Sequence, residues 1–138
     1  AWRDAALSDF ASRGPGEMVE RFRMYLELRD RFDAAYEELL LHRDVLNRWR
    51  RDYRRGLTLA MEETLTGTPE LSEALGVAFR VGEEMERRYY QLRLDAPYLR
   101  EEFQDHLRQE QAYLPDRLHF IRFLRAIVPT SMVEEEGA

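Results

Sequence analysis

The sequence predicts an all-α fold, an antiparallel helical bundle of four to five helices with one or two long helices. Three observations support this prediction. Apolar residues recur at steps of three and four along most of the 138 residues, glycine and proline cluster between these periodic stretches, and no stretch alternates apolar with polar residues as a half-buried strand does. The length predicts one compact domain, and 44% hydrophobic residues are enough for its core.

The chain divides into three predicted parts. Residues 1–16 comprise a short helix over residues 2–12 and a breaker that is rich in glycine and proline. Residues 17–129 form the bundle. We expect residues 130–138, which include three consecutive glutamates, to be a disordered acidic tail.

The longest periodic stretch runs from Glu17 to Arg55 and contains neither glycine nor proline. Its apolar residues recur about every 3.5 residues, with one gap at His42, and predict a helix with a narrow, coiled-coil-like seam. At about 1.5 Å per residue the helix would be roughly 58 Å long, so we expect it to kink or to project. Gly56 would end it, with a separate continuation over residues 57–65. The predicted seam consists of Met18, Phe22, Tyr25, Leu28, Phe32, Tyr36, Leu39, Leu46, Trp49 and Tyr53.

The strictest heptad pattern lies in the next stretch. Thr68 suits the N-cap of a helix and Pro69 its first helical position. The apolar residues that follow are spaced at alternating steps of four and three, and Gly82 stands among them, where it would let another backbone approach closely. The seam positions are Leu71, Leu75, Ala78, Gly82, Met85, Tyr89 and Leu92.

Two further helices complete the predicted bundle. A turn at residues 95–97 leads into a helix over residues 97–113 with one apolar stripe, and Pro115 restarts the chain. Residues 118–128 are apolar at eight of eleven positions and end at Pro129. A helix this apolar on most sides is either central in the fold or covered by a partner.

Composition excludes several kinds of chemistry. Without cysteine there is no disulfide, thiolate zinc site or cysteine nucleophile, and because all 21 basic residues are arginine there is no Schiff-base or P-loop lysine. No stretch approaches the roughly 18 apolar residues that a membrane span needs. We expect a cytoplasmic location, or an organelle matrix if Ala1 follows a removed presequence.

A cluster of arginines is the first candidate site. Five arginines fall between residues 48 and 55, with Trp49 and Tyr53 among them. Guanidinium groups pair with carboxylates and phosphates, and Arg, Trp and Tyr are enriched at the energetic centres of interfaces. The residues predicted to contact a partner are Arg48, Trp49, Arg51, Tyr53, Arg54 and Arg55.

Three interpretations of this cluster stay open. It could bind an acidic protein, or bind nucleic acid or phosphate, although a net charge of −6 argues against a general nucleic-acid binder. Alternatively, the arginines stabilise a helix C-terminus and the two aromatic residues continue the buried seam.

The apolar helix near the C-terminus is the second candidate. If its outward side stays uncovered in a monomer, it forms the kind of exposed patch that marks a partner site. The predicted contact residues are Phe120, Phe123, Leu124 and Ile127.

Two pairs of acidic residues are the third candidate. Glu83 and Glu86 lie three residues apart on one predicted helix, and Glu102 and Asp105 lie three apart on the next, so an antiparallel turn could gather them around Mg²⁺. The pattern is similar to the ExxE and ExxD motifs of the all-α nucleoside triphosphate pyrophosphohydrolases. This resemblance, which covers only residues 83–105, implies a Mg²⁺-dependent enzyme. The simpler interpretation is that the carboxylates pair with arginines on solvated helix faces.

Histidines offer no clear metal site. A di-iron bundle needs Glu-x-x-His spacing on two helices and a Glu on two more, and one pair alone in this chain has the three-residue step. The three carboxylate–histidine pairs are Glu38/His42, Glu102/His106 and Asp116/His119.

The sequence favours a non-catalytic helical interaction protein, a scaffold or accessory subunit of a larger assembly, or a self-associating bundle. This prediction includes no catalytic residue and no cofactor. The alternatives are a Mg²⁺-dependent pyrophosphohydrolase-like enzyme and binding of nucleic acid or phosphate through the arginine cluster.

Overall fold

The computed structural model describes residues 2–14 and 16–133, apart from the side chains of residues 94–96 and 130. These residues form helices without any strand, which confirms the all-α prediction. They are divided into more helices than the four to five predicted. The α-helices are α1 (Trp2–Arg13), α2 (Gly16–Leu41), α3 (Arg43–Arg54), α4 (Met61–Gly67), α5 (Pro69–Asp95), α6 (Glu101–Gln111) and α7 (Leu114–Ile127), and single 3-10 turns occupy Ala96–Tyr98 and Thr130–Met132.

The predicted helix from Glu17 to Arg55 is broken at His42, the position of the gap in its seam. The backbone angles of His42 are −112° and 19°, outside the helical range, and its N–H donates to the Leu39 carbonyl at 3.0 Å. One non-helical residue therefore divides the stretch into α2 and α3, which agrees with the expected kink.

α3 ends in a Schellman motif centred on Gly56, whose φ is +69°. The Gly56 N–H donates to the Tyr53 carbonyl at 3.1 Å, and the Leu57 N–H donates to the Asp52 carbonyl at 2.9 Å. Gly56 thus ends the helix as predicted. The continuation begins only at Met61, later than expected.

The two long helices, α2 and α5, pack antiparallel and form the centre of the core. Tyr25 lies against Tyr89, with ring centroids 6.2 Å apart, and Phe32 lies against Gly82. Each helix advances by one heptad between these two contacts, in opposite directions, as in an antiparallel coiled coil. A Cβ at position 82 would lie only 3.2 Å from Cε2 of Phe32, so this glycine allows the close approach that its place in the seam predicts.

The central helix is α5 and not α7. α5 packs against α2, α4 and α7, and its buried residues include Ala74, Phe79 and Val81 in addition to the predicted seam. α7 packs against both α5 and α2, and its buried stripe includes Leu118 and Ile121. The centre of the core therefore lies between α2, α5 and α7, where Gly82 is close to both Phe32 and Leu118.

The boundaries of the last two helices differ slightly from the prediction. α6 begins at Glu101, because residues 96–98 form a 3-10 turn first. α7 begins at Leu114, so that Pro115 occupies the first turn, where a missing N–H costs no hydrogen bond.

Four residues of the acidic tail predicted over residues 130–138 lie in the described part of the chain. Thr130–Met132 forms a 3-10 turn, Val133 is buried in the core, and the Ser72 hydroxyl donates to the Met132 carbonyl at 3.4 Å. Residues 134–138 lie outside the described part of the chain. Within the described residues, none of the helices combines the length and the apolar character that crossing a membrane requires.

Candidate functional site

α3 is attached to the bundle by one side and exposes the other. Leu46 and Trp49 on its inner side are almost fully buried. The opposite side and the residue after the helix carry four exposed guanidinium groups, which we call the arginine face: Arg48, Arg51, Arg54 and Arg55.

The arginines of this face have fewer acidic partners than many arginines elsewhere in the described part of the chain. Elsewhere, ion pairs between helices are common, such as Arg100 Nε with Asp9 at 2.8 Å and Arg125 with Glu83 at 3.2 Å. In α3, Arg51 lies 3.8 Å from a carboxylate oxygen of its neighbour Asp52. Over residues 2–14 and 16–133, no carboxylate lies within 4.0 Å of four other guanidinium groups in or next to this helix: Arg43, Arg48, Arg54 and Arg55.

Positive charge is concentrated in this one segment. Residues 43–55 contain six arginines and two aspartates, a formal charge of +4, whereas the whole chain carries −6. The remainder of the chain therefore carries −10. Such segregation creates a local positive potential that attracts acidic partners and orients their approach.

Exposed apolar groups border the arginine face. Tyr53 is 53% exposed, and its ring packs edge-on against Phe123 of α7, with centroids 5.7 Å apart and planes at 89°. Leu41, just before α3, is 77% exposed, and Leu57, just after it, is 53% exposed. The face thus offers a row of guanidinium groups with apolar contacts at both ends, a combination found at interfaces.

The structure changes the predicted interface at two positions. Trp49 and Leu124 belong to the core, because α3 and α7 turn these side chains inwards, and neither can contact a partner in this fold. Arg48, Arg51, Tyr53, Arg54 and Arg55 remain together on the surface.

The apolar helix α7 is covered more completely by its own chain than expected. Phe120 packs edge-on against Tyr36 of α2, with centroids 6.5 Å apart, and Phe123 packs against Tyr53. Phe120, Phe123 and Ile127 are consequently half-buried, and they form no large exposed patch. α7 therefore exposes less apolar surface to a partner than the sequence indicated.

The two acidic pairs do not form a metal centre. Glu83 pairs with Arg125 and Glu86 pairs with Arg122, both on α7, so these two carboxylates join α5 to α7. On α6, Asp105 pairs with Arg108 one turn later, and Glu102 is exposed. Among the described residues, no group of three or more His, Asp or Glu side chains is arranged to hold a metal ion.

Two histidines, His42 and His106, each contact another side chain of this chain. Nε2 of His42 lies 3.3 Å from Oε1 of Glu38, which joins the two sides of the break between α2 and α3. The ring of His106 stacks on Trp2 of α1, with centroids 5.3 Å apart. His119 is exposed.

A buried arginine was missed by the sequence analysis. The seam of α2 was assigned to Leu28, which is half-buried, whereas the structure buries its neighbour Arg29 to 3% exposure. The steps from Tyr25 to position 29 and on to Phe32 are four and three, a regular heptad spacing. An arginine on that spacing was the signal that could have revealed it.

Arg29 is the centre of a polar network that joins three helices. Its Nε donates to both carboxylate oxygens of Asp33 at 3.1 Å, and its Nη2 donates to the Glu110 carbonyl of α6 at 2.6 Å. Arg117 of α7 donates to Asp33 at 3.0 Å. This network is structural, because its hydrogen bonds and ion pairs join α2 to α6 and α7.

Comparison of the chain with protein-family models, with curated proteins and with solved structures finds no match in any of the three.

Proposed function

We propose that this chain is a non-catalytic helical interaction protein, an accessory subunit that binds an acidic segment of a protein partner through the arginine face of α3. The observation that supports this proposal most is the concentration of guanidinium groups on one exposed helix of an otherwise acidic protein, with few carboxylate partners among the described residues. Arginine is well suited to this role, because its planar fork binds carboxylates with two parallel hydrogen bonds.

A purely structural role explains only part of the arginine face. Cations near a helix C-terminus interact favourably with the helix dipole, and Arg54 lies in the last turn of α3. Arg48 lies more than one turn earlier, where this effect is small, because the dipole interaction falls off within the last turn. The number of arginines exceeds what capping requires.

An acidic protein segment fits the site better than nucleic acid does. The large negative charge of the rest of the chain would repel an extended polyanion, whereas a short segment can stay within α3. α3 spans about 18 Å, roughly three helical turns. Leu41, Tyr53 and Leu57 offer apolar contacts that a phosphate backbone would not use.

The experiment is a binding titration followed by fluorescence anisotropy. The probe is a labelled helical peptide of about 16 residues, long enough to span α3, with glutamates on one side and leucines beside them. We expect saturable binding that weakens steeply as salt is raised from about 50 to 300 mM, because exposed charges are screened. In the test variant the four arginines of the face become Gln, and its affinity should fall about tenfold or more, as each lost exposed ion pair is worth about 0.2–1 kcal/mol.

A matched variant controls for the general loss of positive charge. It replaces four exposed arginines on other helices by Gln and should bind the peptide as the wild type does: Arg23, Arg80, Arg87 and Arg122. The proposal is wrong if both variants lose affinity equally, or if the wild type binds a single-stranded oligonucleotide of similar length but not the peptide.

A further inference from the structure

A cleft between α5 and α6 forms a second concave site, separate from the arginine face. Its volume is about 450 Å³, within the range of small-molecule sites in proteins. Leu92 and Leu107, both buried, supply an apolar wall, and Tyr89 adds a phenol ring. The cleft is large enough for a compact organic molecule.

One wall of the cleft contains a buried polar side chain without a partner. Gln111, the last residue of α6, is 7% exposed, and neither Oε1 nor Nε2 has a hydrogen-bond partner among the described residues. A buried amide that forms no hydrogen bond destabilises a protein, and such groups are rare in native structures. Both amide atoms are closed off from solvent in this structure, so a molecule in the cleft supplies the missing donor and acceptor only once the Gln111 side chain turns towards it.

The charged groups that the described residues place in the cleft are cationic. Arg93 and Arg108 line it from α5 and α6, and none of the described acidic side chains does. Arg108 pairs with Asp105, whereas no described carboxylate lies within 4.0 Å of Arg93. Arg93 is therefore available for an anionic group of a ligand.

We propose that this cleft binds a small organic carboxylate with an apolar body and an amide or hydroxyl group. The carboxylate pairs with the Arg93 guanidinium, the apolar body lies on Leu92 and Leu107, and the polar group exchanges hydrogen bonds with Gln111. A ligand of this kind gives partners to both Gln111 and Arg93, for which the described residues supply none.

Two probes of this class test the site, N-benzoylglycine and N-octanoylglycine, each with an apolar body, an amide and a carboxylate. Binding is followed in the side-chain amide region of the ¹H–¹⁵N NMR spectrum, which is simple because the chain has four glutamines and one asparagine. We expect saturable shifts of the Gln111 side-chain signals with at least one probe. The uncharged carboxamide derivatives should bind at least tenfold more weakly.

Two test variants and one control variant separate a ligand site from a chance surface groove. Arg93→Gln should weaken binding about tenfold, whereas Arg80→Gln, an exposed arginine on the same helix outside the cleft, should leave it unchanged. Gln111→Leu should weaken binding and yet raise the Tm of the ligand-free protein by a few degrees, because it removes an unsatisfied buried amide. If Gln111 served only to stabilise the fold, its replacement by Leu would not weaken binding and raise the Tm together.

Several results would overturn this proposal. They are the absence of saturable shifts with both probes, equal affinity for the charged and uncharged forms, and binding that Arg93→Gln does not change. A Gln111→Leu protein with a lowered Tm and unchanged affinity would also overturn it, since Gln111 would then have a structural partner such as a buried water. None of these results bears on the arginine face of α3, which lies on another helix.

Discussion

Single residues of this chain have roles that depend on their surroundings more than on their type. Arg29 on α2 is enclosed where α2, α6 and α7 meet and uses its guanidinium to join them, whereas Arg48 on α3 faces solvent and has no carboxylate partner among the described residues. The sequence alone shows 21 arginines and cannot distinguish these roles except through spacing. The heptad spacing could have indicated that position 29 is internal, but it does not reveal which carbonyl of another helix accepts a hydrogen bond from Arg29.

Gly56 requires a backbone conformation that other residues adopt at a cost. Its φ of +69° is in the left-handed region, where a Cβ costs about 1–2 kcal/mol. We expect Gly56→Ala to lower the free energy of unfolding by about that amount in urea denaturation. Gly67→Ala is the control, because Gly67 has no positive φ and no atom near its missing Cβ, and it should be neutral or slightly stabilising. Equal effects of the two substitutions would exclude the Schellman motif.

The buried tyrosine Tyr25 predicts how stability responds to alkaline pH. Burial raises the pKa of its hydroxyl well above 10, while the nearby Arg29 guanidinium lowers it to a smaller extent. The folded state therefore retains a proton that the unfolded chain releases above about pH 10. The contribution of this group is complete below pH 10 and is lost as pH rises, by up to about 1.4 kcal/mol per pH unit.

Urea denaturation between about pH 9 and 11.5 measures this effect. The chain has no lysine, so loss of lysine charge cannot contribute to the alkaline response. We expect stability to fall more steeply with pH in the wild type than in Tyr25→Phe, which keeps the ring and removes the titrating group. Burial also raises the pKa of the Tyr36 hydroxyl, so the stability of Tyr25→Phe should still fall to some extent as pH rises. Parallel curves would mean that Tyr25 ionises as readily in the folded protein as in the unfolded chain.

At the scale of elements, periodicity predicts the two long helices and the positions where they break. The gap in the seam at His42 and the glycine at position 56 both coincide with helix ends. Periodicity did not predict that α5 is the central helix, because the pattern of one seam does not show how many neighbours a helix has. Ala74, Phe79 and Val81 lie off the heptad and are nevertheless buried, and only the three-dimensional arrangement shows this.

The contact between α2 and α5 depends on the absence of a side chain at position 82. We expect Gly82→Leu to destabilise the protein by about 1–3 kcal/mol, because the Phe32 ring already occupies the space that a larger residue needs. In Gly82→Ala, a gain in helix propensity of about 1 kcal/mol opposes a small displacement of the ring, so its effect should be much smaller. Chemical denaturation of the two variants measures the difference. A Leu variant as stable as the wild type would show that α2 and α5 are farther apart at this point.

At the scale of the whole molecule, the fold buries more of the apolar surface than the sequence predicts. It leaves more of the positive charge exposed. Tyrosines from α2 and α3 cover the phenylalanines of α7, so the expected apolar patch is largely internal. Interhelical tyrosine contacts of this kind involve residues far apart in the sequence, and periodicity does not report them. The concentration of arginine in residues 43–55 is visible in the sequence, but its exposure and lack of partners are visible only in the fold.

The most direct measurement is backbone ¹H–¹⁵N NMR of the whole chain during titration with the acidic helical peptide. We expect the largest shifts in α3 and the residues that border it, from Leu41 to Leu57, and we expect them to disappear when the arginines of the face are replaced by Gln. Shifts centred on α7 or on the cleft between α5 and α6, or no shifts at all at low salt, would contradict the assignment of the partner site to α3.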